Sequence, residues 1–94
     1  MPLTGTRQMY FRTNIDVYSG ITWDRSYEEN IPRVGEEIVL PELYQQACMK
    51  KNIPWVLRVV NVTYSQNDIV IELHLPKNIA PEVQKRVFDT HHLF

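Results

Sequence analysis

The sequence predicts an α+β fold: a strongly curved, mostly antiparallel sheet of four to five strands, barrel-like in outline, with two helices over residues 41–51 and 79–92. Three observations predict it. Two runs rich in β-branched and aromatic residues, 55–64 and 68–75, are separated only by Ser65-Gln66-Asn67, which marks a hairpin. An alternating run precedes them at 8–18, and a capped helical segment stands between at 41–52. With 94 residues, 44% hydrophobic and 22% charged, the chain has the composition of one small globular domain over 1–94 and not of a disordered tail.

In the first run Met9, Phe11, Ile15 and Val17 share one face, interrupted only by Thr13. Tyr10, Arg12, Asn14, Asp16 and Tyr18 share the other, the pattern of a half-buried strand. Ser19-Gly20 offers a turn, and Ile21-Thr22-Trp23 a short returning strand. From Asp24 the period is lost until Gly35, which reads as a long polar loop of a length often kept for function. Glu36 to Leu40 is a short strand. Pro41 suits a first helical turn, Glu42 favours the positive end of the dipole, and Lys50 and Lys51 favour the negative end. Leu43, Tyr44, Ala47 and Cys48 form the apolar face, and Asn52 and Pro54 stop the helix.

In the hairpin, regular pairing sets Tyr64 opposite Ile69, Val62 opposite Ile71 and Val60 opposite Leu73 on the core side. The other side then holds Thr63 with Val70 and Asn61 with Glu72. Continued without a break, this register would bury Arg58. A β-bulge near Arg58-Val59 is therefore expected, turning Trp55 and Leu57 inward and Arg58 outward. After Pro76 a last helix carries Val83 and Val87 on a narrow apolar stripe, suited to a sheet edge or a partner.

The layout of Ile31-Pro32-Arg33-Val34-Gly35-Glu36-Glu37-Ile38-Val39-Leu40, followed by Leu57-Arg58-Val59-Val60-Asn61-Val62-Thr63-Tyr64, resembles that of short bacterial and phage-borne domains with an SH3-like or related small barrel. In those a Pro-x-Val-Gly-Glu turn leads one strand and a Val-rich strand opens a hairpin. The resemblance covers about half the chain and implies a fold, with no catalytic residues to carry over. Here the helix after Pro41 stands where those domains have a tight turn.

Ten Lys and Arg against eleven Asp and Glu leave a formal charge of −1, which argues against a generic polyanion binder. The single cysteine excludes an internal disulfide and a Cys-cluster metal site. No apolar run approaches the ~20 residues of a membrane span, and the start of the chain lacks a signal-peptide core, so a cytoplasmic protein is expected. Cys48 with His74 would be a thiol and a base, but Cys48 on an apolar helix face reads as a small buried hydrophobe. Asp89, His91 and His92 are the nearest approach to a metal cluster. Adjacent helical residues point ~100° apart, so the imidazoles suit a helix C-terminus better than a shared ion. No enzyme activity, cofactor or metal is expected.

The charge is polarised along the chain. Between Asp24 and Glu42 six acids face two arginines, whereas Leu43 to Arg58 holds Lys50, Lys51 and Arg58 with no acid. The expected function is a non-catalytic protein-interaction module: a small adaptor, assembly subunit or inhibitor. It would bind a protein partner through an acidic aromatic loop containing Trp23, Asp24, Tyr27, Glu28 and Glu29. A nucleic-acid-binding domain is the alternative, with Tyr10, Arg12 and Tyr18 as a stacking face and Lys50, Lys51 and Arg58 as the cations. Self-association is a third way for the sheet edges to be covered.

Overall fold

A computed structural model of the protein describes residues 8–23 and 31–91. These residues form four strands and two helices: β1 (Gln8–Arg12), β2 (Glu37–Val39), α1 (Glu42–Lys51), β3 (Val56–Tyr64), β4 (Asp68–His74) and α2 (Pro81–Asp89). The strands make one strongly curled half-barrel sheet in the order β1-β4-β3-β2, so the fold is α+β as predicted. The β2–β3 and β3–β4 pairings are antiparallel, while β1 runs parallel to β4, with Met9 beside Ile69 and Phe11 beside Ile71. A parallel neighbour needs a long connection, and the elements between β1 and β4 supply it.

β4 is central, and Ile69, Ile71 and Leu73 on its concave side are buried with Met9, Leu57 and Val59. The hairpin pairs Tyr64 with Ile69, Thr63 with Val70, Val62 with Ile71 and Asn61 with Glu72, as the side-chain faces require. The bulge falls between Val59 and Asn61, so Val59 and not Val60 opposes Leu73. The neighbouring turn sets this choice. Glu36 N donates to Arg33 O at 3.0 Å, and Gly35 occupies φ +98°, a position in such a turn that favours glycine. The turn presents Gly35 N and Glu36 O to the carbonyl and amide of Val59, each at 2.8 Å, locking that residue in the ladder. Leu57 is thereby buried and Arg58 faces outward between Glu37 and His74.

Several local expectations are corrected. The first strand ends at Arg12, because Thr13 Oγ1 accepts from Ile15 N at 3.2 Å and a 3₁₀ turn follows at Asp16–Tyr18. That turn replaces a two-residue period by a three-residue one, so Ile15, Val17 and Tyr18 all point inward. Tyr18, expected on the outer face, is 1% exposed. Ile21-Thr22-Trp23 is not a strand. Tyr64 is exposed although it shares the inward register, and Leu43 is 79% exposed. In α1 the inward positions are Tyr44 and Cys48, four apart, and Leu43 lies ~100° round the helix from Tyr44. α1 stops at Asn52, which adopts the left-handed conformation (φ 56°) common at helix ends.

α2 begins at Pro81 and ends at Asp89, short of the predicted 92. Val87 is its buried residue, and polar contacts hold its last turns against other elements than the sheet edge. Arg86 Nη1 donates to Asn52 O at 2.8 Å at the end of α1, and His91 Nδ1 meets Asp16 Oδ2 at 3.1 Å on the 3₁₀ turn. Among the described residues, no helix is long and apolar enough to cross a membrane.

Candidate functional site

The junction between α1 and β3 forms a shallow, widely open apolar recess of about 430 Å³ lined by Met49, Asn52, Ile53, Pro54 and Trp55. Its geometry follows from how the helix ends. The helix stops at Asn52, and the chain then passes through Ile53 and Pro54 before β3 begins at Val56. Ile53 turns into the core, leaving Met49 (48% exposed) and Trp55 (38% exposed) on either side of the opening. Trp55, expected inside, lies just before the first residue of β3, beyond the layer that covers Leu57.

The wall of this recess is held by internal donors. Tyr18 Oη donates to Pro54 O at 2.6 Å, Leu40 N to Trp55 O at 2.9 Å, Ile53 N to Cys48 O at 3.0 Å, and Arg86 Nη1 to Asn52 O. The apolar opening is therefore preformed, with its backbone acceptors already satisfied from behind. Tyr18 and Cys48 lie in that support. Burial drives the Tyr18 hydroxyl well above its ordinary pKa of 10.0, with the charge of an ionised Cys48 adding to the effect. Burial alone pushes the Cys48 thiol from 9.0 to about 11, so at neutral pH it is a protonated hydrophobe and not a nucleophile.

These shifts predict an alkaline weakness. Above pH 9 an unfolded chain releases the thiol proton while the folded protein retains it up to about 11, so the native state binds more protons over that interval. Stability should fall as pH rises through it, by about 1.4 kcal/mol per pH unit for one withheld proton, and more steeply once Tyr18 joins. Urea unfolding at pH 7, 9 and 10.5 measures this. A Cys48→Ala variant should show a shallower decline, and an equal decline in both proteins would contradict the assignment.

A second, smaller cleft of about 170 Å³ lies on the convex side, lined by Arg12, Thr13, Asn14, Val60, Glu72, Leu73 and His74. Its opposite charges already meet: Arg12 Nη2 lies 3.1 Å from Glu72 Oε2, and Asn61 Nδ2 donates to the same carboxylate through Oε1 at 3.3 Å. The pair sits largely in solvent and adds little stability. Among the described residues Arg58 Nε, though buried, has no hydrogen-bond partner, while the residue itself is half-buried and flanked by Glu37 and His74.

The residues singled out in the sequence are distributed differently from expectation. Trp23 is half-buried, packs against the core and stacks on Phe11 with ring centroids 4.7 Å apart, so it serves the fold as well as any surface. Asp24, Tyr27, Glu28 and Glu29 lie outside the described residues. Tyr10 and Arg12 share the convex side of β1, but buried Tyr18 does not complete a stacking face with them. Arg12 is paired to Glu72, and Arg58 lies between Glu37 and His74, so these two cations are not gathered into a basic stripe. Lys50 and Lys51 stand apart, at the end of α1 beside the recess. Among the described residues no group of three His, Cys, Asp or Glu side chains is placed to hold a metal, and His92 is outside them.

In the sequence Pro54 reads as a helix stop and Trp55 as a core residue, and neither is marked with Met49 as a surface contact. One signal was present: Met49 follows Cys48 on the helix and so falls off the inward face. Compared with known protein families, curated proteins and solved structures, the chain has no significant match.

Proposed function

We propose that the protein is a non-catalytic interaction module, a small adaptor, assembly subunit or inhibitor, that seats a side chain of a protein partner in the recess between Met49 and Trp55. The observation supporting this reading is the preformed apolar opening itself. A tryptophan and a methionine flank a shallow apolar opening whose backbone is tied from behind, so a partner would not have to order it. Buried aromatic anchors of this type carry a large share of interface energy, and methionine adapts to irregular surfaces. The acidic aromatic run from Trp23 and Asp24 to Tyr27, Glu28 and Glu29 is the second contact in this proposal, and a cytoplasmic setting is part of it.

The test is capture of a stoichiometric partner from the native host, followed by titration of the purified pair. Trp55→Ala and Met49→Ala should each weaken binding by about tenfold or more, the scale of an interface hot spot. Trp55 is only 38% exposed, so the circular dichroism spectrum and melting temperature of each variant are read first to show that the fold is intact. A second set of variants, Tyr27→Ala with Glu28→Gln and Glu29→Gln, reads the acidic run separately. A partner that binds the Met49→Ala/Trp55→Ala protein at full affinity would remove the recess from the proposal.

A further inference from the structure

We infer that the segment taken by this recess is acidic: an aromatic or leucine side chain rests between Met49 and Trp55 while neighbouring carboxylates meet Lys50 and Lys51. This rests on the interaction reading above and names the partner's chemistry. Lys50 and Lys51 are exposed at the last turn of α1, directly between Met49 and Asn52 in the chain. Arg86 supports the wall through its bond to Asn52 O and has Glu82 and Asp89 within one turn of it on α2, so the two lysines are the charge offered at this end of α1. Residues 43–58, which include the entire lining and both lysines, contain no Asp or Glu. The basic rim thus adjoins an apolar centre, the arrangement in which charge steers encounter and selects the partner while the centre supplies affinity.

The opening is shallow, so the segment would lie across it with one apolar side chain resting between Met49 and Trp55. Charge distinguishes this place from the second cleft, where Arg12 is already neutralised by Glu72. A nucleic acid would need a cationic path with stacking aromatics, and buried Tyr18 offers no such face. An anionic membrane would use the same lysines and tryptophan, so it is tested beside the peptide.

The experiment titrates the full chain with two fluorescein-labelled peptides that differ only in charge. One is Asp-Glu-Glu-Leu-Phe-Glu-Asp-Glu, and the other has lysine at each acidic position. Anisotropy at low salt should show the acidic peptide bound about tenfold or more tightly than its basic analogue, with the difference shrinking as salt screens the rim. The Lys50→Glu/Lys51→Glu variant should reverse that order, and Met49→Ala/Trp55→Ala should lose both peptides. Equal or preferential binding of the basic peptide, still lost in Met49→Ala/Trp55→Ala, would overturn the acidic assignment and leave the interaction reading standing. Binding of neither peptide would also overturn the assignment, while the captured partner decides the broader reading. Binding of both peptides unchanged by Met49→Ala/Trp55→Ala would overturn the recess itself. Phosphatidylserine vesicles that hold the protein through Trp55 more strongly than the acidic peptide does would overturn the assignment in favour of a membrane surface.

Discussion

Tyr18→Ala is expected to destabilise the protein by about 3–5 kcal/mol, the range for truncating a large buried aromatic. Tyr18 is 1% exposed, and its ring sits where the 3₁₀ turn, α1 and the approach to β3 converge. Truncation would leave a cavity beside Cys48 and an unpaired carbonyl on Pro54. Tyr18→Phe separates these effects. It keeps the ring and removes only the donor, so the cost should be about 1–2 kcal/mol, close to that of leaving one buried carbonyl unsatisfied. Because that carbonyl belongs to the recess wall, Tyr18→Phe should also weaken binding at Met49 and Trp55 without touching the opening. Equilibrium denaturation read by circular dichroism checks the first pair of values. Near-identical stabilities for Tyr18→Ala and wild type would show that this residue does not close the core.

Ile71→Ala is expected to cost about 2–5 kcal/mol, against a total of about 5–15 kcal/mol for a typical domain. Ile71 lies on the central strand, with Phe11 beside it on β1 and Val62 beside it on β3, and it is fully buried. Neighbours on both sides belong to hydrogen-bonded strands, which restricts collapse into the cavity. Val70→Ala is the matched control, one residue away on the opposite face and only half-buried. Its cost should be less than half as large. Comparable losses at both positions would mean that the concave side of β4 is not the packed one.

The hairpin was legible from the sequence because its side-chain faces, rather than its turn residues, specify the register. Ile69, Ile71 and Leu73 can share one buried side only if Val70 and Glu72 take the other. The need for a bulge was legible for the same reason: without it Arg58 enters the core. Its position was not legible, since Val59 and Val60 are chemically identical. Contacts from Gly35 and Glu36, distant in sequence, distinguish them.

The proposed contact surface was legible only in outline. Lys50 and Lys51 signalled a helix end and a basic run, yet nothing local indicates that Met49 and Trp55 come to flank one opening. Trp23 shows the reverse. In the sequence it is an aromatic beside acids, whereas in the fold it rests on Phe11.

The sequence by itself determined the α+β class, the hairpin pairs from Tyr64–Ile69 to Asn61–Glu72, the helix beginning after Pro41 and the outward direction of Arg58. These depend on periodicity and on the cost of burying charge, both carried by residues close together in the chain. Only the tertiary structure decided that β1 lies parallel to β4, that Tyr18 is buried beneath Pro54, and that the end of α1 opens into a shallow recess between Met49 and Trp55. Each of these depends on contacts between segments far apart in the chain, where hydrophobic pattern names a buried face but not the surface that covers it.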